Sequence, residues 1–291
     1  MDYIKNVHLG KEAIGGLSAG IVGTIIGYPL DLVKTRMQTS TTTRTGGIFH
    51  IASNVVRKEG ILALYKGIAP PLLSLSILNT INFTSYSFFR ELYQAERGWD
   101  TRNALAGISG APIAGSISTI ENFIKTQMQL DNITGKRFRG SWHCLTTLAQ
   151  THGVSIIYTG HLVNTTREGV FLGAYFFAYE GFRESLKKHI GISTQLAVPM
   201  AGGLAGATGW FVSFPLDCVR AGVQGRQLDT TKTTALGVFR NLIEQKGLRG
   251  LYSGISPSVA RAFLVSGSRF SAYEGALWLL RKGNDLTDTL S

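Results

Sequence analysis

The stretch YPLDLVKTRMQ, residues 28–38, decides the fold because it occurs three times. TIENFIKTQMQ spans 119–129 and FPLDCVRAGVQ spans 214–224, at offsets of 91 and then 95 residues. Upstream of each, GGLSAGIVG, GISGAPIAG and GGLAGATG fall in register. Downstream, EGILALYKG (59–67), HGVSIIYTG (152–160) and KGLRGLYSG (246–254) return at offsets of 93 and 94, as do YSFFR (86–90), YEGFR (179–183) and YEGAL (273–277). Four blocks recurring three times in one order make the repeat the unit of architecture. The repeats divide at 1–98, 99–191 and 192–291 and form one integral domain.

Each repeat carries long apolar runs. Residues 13–30, 67–89, 103–120 and 190–216 contain no charged side chain. Each is near the roughly 20 residues that a membrane-spanning helix needs. Two further apolar segments are interrupted, 160–179 by Arg167 and Glu168, and 254–273 by Arg261 and Arg269. The expectation is an all-α membrane protein with six transmembrane helices in three pseudosymmetric two-helix repeats. Six buried helices of a large soluble protein are the alternative. Gly-rich runs such as AIGGLSAGIVGTIIG argue against it, since glycine weakens a helix in water whereas small residues let helices pack closely in lipid. A short amphipathic helix, such as IFHIASNVVRK at 48–58, joins the two spans of a repeat.

Charge sorts the loops. Residues 40–66, 130–159 and 225–253 are all net basic, and the loops near 90–102 and 180–194 are close to neutral. One face is therefore basic, the usual topology signal. The chain is 16% charged and carries a net charge of +11, which fits an anionic membrane surface. No Lys/Arg run with interleaved aromatics points to nucleic acid. Cys144 and Cys218 give neither a disulfide framework nor metal-ligand spacing. No Ser/His/Asp set or phosphate loop points to an enzyme, and no cofactor is implied. The N-terminus shows no cleavable signal, so any targeting is internal.

These blocks resemble the mitochondrial carrier family across essentially the whole chain. The family signature is Pro, any residue, an acid, two residues and a cation, then an acid-Gly pair, four residues, an aromatic, a cation and Gly. Repeat 1 matches fully through Pro29, Asp31, Lys34, Glu59, Gly60, Tyr65, Lys66 and Gly67. Repeat 3 keeps Pro215, Asp217, Arg220, Gly247, Tyr252 and Gly254 but has Lys246 in place of the acid. Repeat 2 departs most, with Ile120 for Pro and Asn122 for the acid; a register using Glu121 as the acid would put Ile124 at the cation position.

Asp31 and Lys34 share a helix face, and Gln38 follows four residues on. Threefold pseudosymmetry would gather three such ends. Proline is expected to end or kink each helix and angle it inward. The resemblance implies a matrix gate of Asp31–Lys125 and Asp217–Lys34 pairs, with Asn122 and Arg220 as a third pair lacking its carboxylate. Gln38, Gln129 and Gln224 match the family's glutamine braces beneath the pairs. The family's opposite, cytoplasmic gate would use Arg90, Glu180, Arg183 and Glu274. Ser87 and Leu277 replace two of its charges, so only Glu274–Arg90 keeps both among the expected cross-helix pairs, and Glu180 with Arg183 would pair locally.

Charges inside a span are costly and commonly functional. Family contact points, counted seven residues from Gly67, Gly160 and Gly254, fall on Ser74, Arg167 and Arg261. The Arg167–Glu168 dipeptide resembles the Arg-acid pair of the amino acid and carnitine branch. Arg167 would grip a carboxylate with its two-pronged guanidinium, Glu168 an ammonium, and Arg261 the carboxylate from the other side. A pair that only neutralises itself is the alternative. Arg269 lies towards the cytoplasmic mouth, where it would attract anions or pair with Glu180.

The implied function is alternating-access transport of an amino acid or carnitine-like zwitterion across the mitochondrial inner membrane, by a monomer. The short helices would lie on the matrix side, with cardiolipin head groups on helix N-termini that follow YKG, YTG and YSG. Two rivals remain: a nucleotide, cofactor or carboxylate carrier using Arg167, Arg261 and Arg269 as anion ligands, and a carrier-fold membrane protein with no transport role.

Overall fold

A computed structural model of the chain describes residues 2–39, 47–134, 137–189, 191, 193–226, 234–265 and 268. Every regular element among the described residues is helical. Five helices are long: α1 (Asp2–Thr39), α3 (Ala69–Leu92), α4 (Thr101–Thr134), α6 (His161–His189) and α7 (Thr194–Gln224). Three helices of 12 residues lie between them: α2 (Ile48–Glu59), α5 (Ser141–His152) and α8 (Ala235–Lys246). A short 3₁₀ turn follows each, at Ile61–Tyr65, Val154–Tyr158 and Leu248–Tyr252. A further helix, α9, covers residues 255–265. The order long helix, short helix, 3₁₀ turn, helix therefore occurs three times. Among the described residues, Leu196–Gln224 is the one helical stretch long and apolar enough by composition alone to cross a membrane.

The long helices outrun the uncharged segments, and proline does not end them. Pro29 and Pro215 lie inside α1 and α7, which continue to Thr39 and Gln224. Of the two outcomes expected at these prolines, an end or a kink, the end is excluded. Proline removes one N–H from the ladder, and the turns after it are held by packing. Leu32 lies in one cluster with Val55 and Ala63; Val219 and Val223 lie in another with Val238. In repeat 2, Phe123, Ile124 and Met128 pack with Cys144 and Leu148. In all three repeats, then, the segment after the signature proline position rests on its own short helix.

The repeats close in a cycle, and the glycine ending each YKG, YTG or YSG shows how. Gly67, Gly160 and Gly254 have φ of +86°, +75° and +89°, a region that side chains with a Cβ rarely adopt. Each also touches the next repeat. A Cβ on Gly67 would lie 3.0 Å from Met128 Cβ, one on Gly160 3.2 Å from Val223 Cγ1, and one on Gly254 3.2 Å from the Lys34 carbonyl oxygen. The contacts thus run from repeat 1 to 2, 2 to 3, and 3 to 1, bringing α1, α4 and α7 around one axis.

At the other end of the long helices, Tyr86 of α3 stacks on Phe176 of α6 with ring centroids 3.7 Å apart. The Tyr86 hydroxyl donates to Asn103 Oδ1 at 2.9 Å. This aromatic cluster ties α3, α4 and α6 together.

Candidate functional site

The signature segments of α1, α4 and α7 meet below a cavity of about 180 Å³. Lys34 Nζ lies 2.6 Å from Asp217 Oδ2, and Lys125 Nζ lies 2.6 Å from Asp31 Oδ2. The structure thus brings together both pairs that the repeat alignment matches. Gln38 Nε2 donates to Asp217 Oδ2 at 2.8 Å, directly beneath the first pair. Gln129 makes a different contact: its Oε1 accepts from Thr35 Oγ1 at 2.6 Å.

Repeat 2 resolves its missing acid locally. Asn122 Nδ2 turns to Asn164 Oδ1 of α6, at 3.2 Å, within the same repeat. Asn164 is fully buried and donates to Ser118 and Thr119 hydroxyls at 2.9 and 3.1 Å. Arg220 instead bonds within α7, reaching Asp217 Oδ1 at 3.0 Å and Gln224 Oε1 at 2.8 Å. Gln224 Nε2 then donates to the Thr159 carbonyl at 3.3 Å. Among the described residues two Lys–Asp bridges therefore cross between repeats at this level, while at the third position Asn122 makes a neutral hydrogen bond and Arg220 an ion pair, each within its own repeat.

The cavity wall above carries Arg167, Glu168 and Arg261 together with Glu121 and Trp210. Arg167 Nη1 contacts Glu168 Oε1 at 2.5 Å. The two arginines also reach down to the bridging carboxylates, which the sequence reading did not anticipate. Arg261 Nε lies 2.7 Å from Asp31 Oδ1, and Arg167 Nε lies 3.4 Å from Asp217 Oδ1. The two contacts are related by the pseudosymmetry: each runs from the second long helix of one repeat to the first of the next. In both, the buried Nε–H makes no hydrogen bond among the described residues. These are contacts of charge rather than directed bonds, and a buried donor left over in this way calls for a partner.

Trp210 is a residue the repeat alignment did not single out. Lys34 Nζ sits 3.8 Å from one of its ring centroids and the Arg167 guanidinium carbon 4.9 Å away, so the indole is in contact with two cations. Its position seven residues before Asp217 places it on the same helix face two turns away, and that spacing was the available signal.

The side chain of Ser74, and residues Arg269, Glu274 and Leu277, lie outside the described residues. At the opposite end, Glu180 Oε1 lies 3.8 Å from both Arg90 Nη1 and Arg183 Nη1. The local contact expected between Glu180 and Arg183 is present, and Arg90 joins it from α3. The Tyr86–Phe176 stack sits one turn before Arg90 and Glu180 on their respective helices, and it brings these two side chains within reach. Among the described residues no group of His, Cys, Asp and Glu is arranged to hold a metal ion.

Three helical repeats closing around a charged central cavity, with cross-repeat ion pairs beneath it, define a solute carrier class of membrane protein. The chain belongs to the mitochondrial carrier family: the family model described as mitochondrial carrier protein matches residues 5–97, 100–190 and 193–284. Among its relatives is the mitochondrial arginine transporter BAC2 of Arabidopsis thaliana, 31% identical over 92% of this chain and 90% of the relative. The mitochondrial basic amino acids transporter of Rattus norvegicus is 28% identical over 96% of this chain and 92% of its own length. The glutamate/glycine mitochondrial carrier ymc1 of Schizosaccharomyces pombe is 27% identical over 91% and 92%.

Proposed function

We propose that this protein carries an amino acid, or a carnitine-like zwitterion, across the mitochondrial inner membrane by alternating access to the single central cavity. Six spans would cross the membrane, with α2, α5 and α8 on the matrix side, cardiolipin at helix N-termini and the monomer as the working unit. The observation that carries the reading is the Arg167–Glu168 ion pair on the cavity wall, beside the unsatisfied Nε donors of Arg167 and Arg261. An arginine takes a carboxylate with two parallel bonds, and an adjacent carboxylate takes an ammonium. The names of three relatives, an arginine transporter, a basic amino acids transporter and a glutamate/glycine carrier, point the same way.

The Asp31–Lys125 and Asp217–Lys34 pairs act as the matrix gate, closed in this conformation. Arg261 and Arg167 couple the site to it. A substrate carboxylate that draws either guanidinium upward removes a tie between repeats at the level of the gate. Both gate carboxylates are buried; the attraction within a buried pair is largely offset by the cost of taking its charges out of water, and opening the gate returns them to water, so modest binding energy is enough to release them. Arg90, Glu180 and Arg183 form the described part of the opposite gate.

A second reading, a nucleotide, cofactor or carboxylate carrier, is favoured by Arg167 and Arg261, two guanidinium groups on the cavity wall that would serve as anion ligands. Uptake into liposomes separates the two. Saturable uptake of arginine, lysine or carnitine, lost in both Arg167→Ala and Glu168→Gln, is the expected result. Uptake of ADP or malate that survives Glu168→Gln would replace it with the anion carrier. Folded protein that moves none of the panel would favour a membrane protein of this fold without a transport role.

A further inference from the structure

The ion pairs that join the repeats are shared unequally among the three junctions. Among the described residues, repeat 1 is joined to repeat 2 by Asp31–Lys125 and by Lys66–Asp131 at 2.5 Å. Repeat 3 is joined to repeat 1 by Asp217–Lys34 and Arg261–Asp31, and to repeat 2 by Arg167–Asp217. Both arginine ties therefore involve repeat 3. At the junction of repeats 1 and 2 the equivalent residues are Ser74 and Asn122, which carry no charge and supply no such ion pair. A ligand that draws the two arginines away thus loosens repeat 3.

Lys66–Asp131 has a different character. Asp131 lies six residues beyond Lys125, about 9 Å of helix rise further towards the end of α4, and neither partner lines the cavity. Asp131 is fully buried and also accepts the backbone N–H groups of Arg137 and Phe138, at 2.7 and 3.3 Å. Lys66 is held to its own repeat by Tyr28, a buried residue whose hydroxyl donates to the Lys66 carbonyl at 2.9 Å. The residues equivalent to Lys66 are Thr159 and Ser253. Their junctions are closed by neutral hydrogen bonds among the described residues. Gln224 Nε2 donates to the Thr159 carbonyl at 3.3 Å, and Ser253 Oγ donates to the Met37 carbonyl at 2.9 Å. A neutral hydrogen bond is readily exchanged for one to water, whereas parting a buried ion pair strands its charges.

We infer that the matrix side opens by movement of repeat 3 away from repeats 1 and 2, which stay joined through Lys66–Asp131 as one unit. Of the two gate pairs, Asp217–Lys34 parts and Asp31–Lys125 stays closed. This rests on the carrier reading above.

The test ties each junction covalently in turn. A Cβ on Gly67 would lie 3.0 Å from Met128 Cβ, one on Gly160 3.8 Å from Val223 Cβ, and one on Gly254 3.4 Å from Met37 Cβ. These separations are close to the roughly 3.5–4.5 Å of a disulfide. All three glycines have positive φ, so the three cross-links carry matched backbone strain. Gly67→Cys with Met128→Cys, Gly160→Cys with Val223→Cys, and Gly254→Cys with Met37→Cys are each made in a Cys144→Ala, Cys218→Ala background. Liposome uptake is compared between the oxidised protein and the same protein reduced with dithiothreitol. The probe is arginine, or whichever of lysine, carnitine, ADP and malate the wild type moves. Oxidation is expected to leave uptake by the first pair within about twofold and to lower it about tenfold or more in the other two, where the junction must part. Loss on oxidation in the first pair, or retention in either of the others, overturns the inference. Lys66→Gln gives a second measurement that needs no cysteine variant to fold. Its unfolding temperature should fall, and its kcat should not rise, because the pair it removes is not broken during turnover. A raised kcat overturns the inference. Wild-type protein that moves none of the five solutes overturns the carrier reading itself, and this inference with it.

Discussion

Arg261 Nε lies 2.7 Å from Asp31 Oδ1 while Lys125 Nζ holds Oδ2 of the same carboxylate at 2.6 Å. One acid of α1 therefore gathers cations from α4 and α9, so all three repeats meet at a single side chain. Removing a partner from a buried ion pair costs roughly 3 kcal/mol or more, because the remaining charges lose their compensation. Asp31→Asn is expected to lower the unfolding temperature in detergent more than Asn122→Ala does, and to abolish uptake. Thermal unfolding of the purified variants checks this. Equal, small shifts for the two would mean that Asp31 is solvated in the ground state.

Lys34 and Arg167 both sit against the ring of Trp210. Each such contact is worth about 0.5–2 kcal/mol. Trp210→Ala should reduce uptake about tenfold or more, and Trp210→Phe should keep most of it, since a phenyl face still attracts cations. Initial rates in liposomes distinguish the two variants. Equal loss in both would show that the indole acts through its size.

The glycines of the repeat junctions differ in what surrounds them. Gly254 has φ +89° and a Cβ there would meet the Lys34 carbonyl oxygen at 3.2 Å; Gly60 has φ +90° with nothing within 4 Å. Both alanine variants carry the left-handed backbone cost of about 1–2 kcal/mol. Only Gly254→Ala adds a clash with α1. Its unfolding temperature should therefore fall further than that of Gly60→Ala, by an amount that a thermal melt of the two side by side resolves.

Burial pushes the Cys144 thiol on α5 up to about 12. In a Cys218→Ser background the native protein should resist maleimide at pH 7, and unfolding should expose one reactive thiol. The sign of the pH effect follows. The folded chain keeps its thiol proton above the ordinary thiol range while the unfolded chain releases it. Stability is therefore fully present below that range and falls as pH rises through and above it. Mass spectrometry after labelling, and melts between pH 7 and 10, check both statements.

Much of this protein is legible in its sequence. Three copies of one motif at near-constant spacing required three structurally similar units, since each unit buries its apolar face only against its neighbours. The Asp31–Lys125 and Asp217–Lys34 contacts follow from that alignment once the repeats close in a ring. The continuation of α1 and α7 past Pro29 and Pro215 was not legible, because the packing of Leu32 and Val219 outweighs a local propensity for ending. Tertiary structure alone decided where the cavity charges go. Arg261 and Asp31 are 230 positions apart in the chain, and no local periodicity links them. That Arg261 and Arg167 reach the gate carboxylates, that Asn122 turns to Asn164, and that Glu121 lines the cavity depend on how far each long helix is rotated about its axis. That rotation is set by contacts with helices distant in sequence.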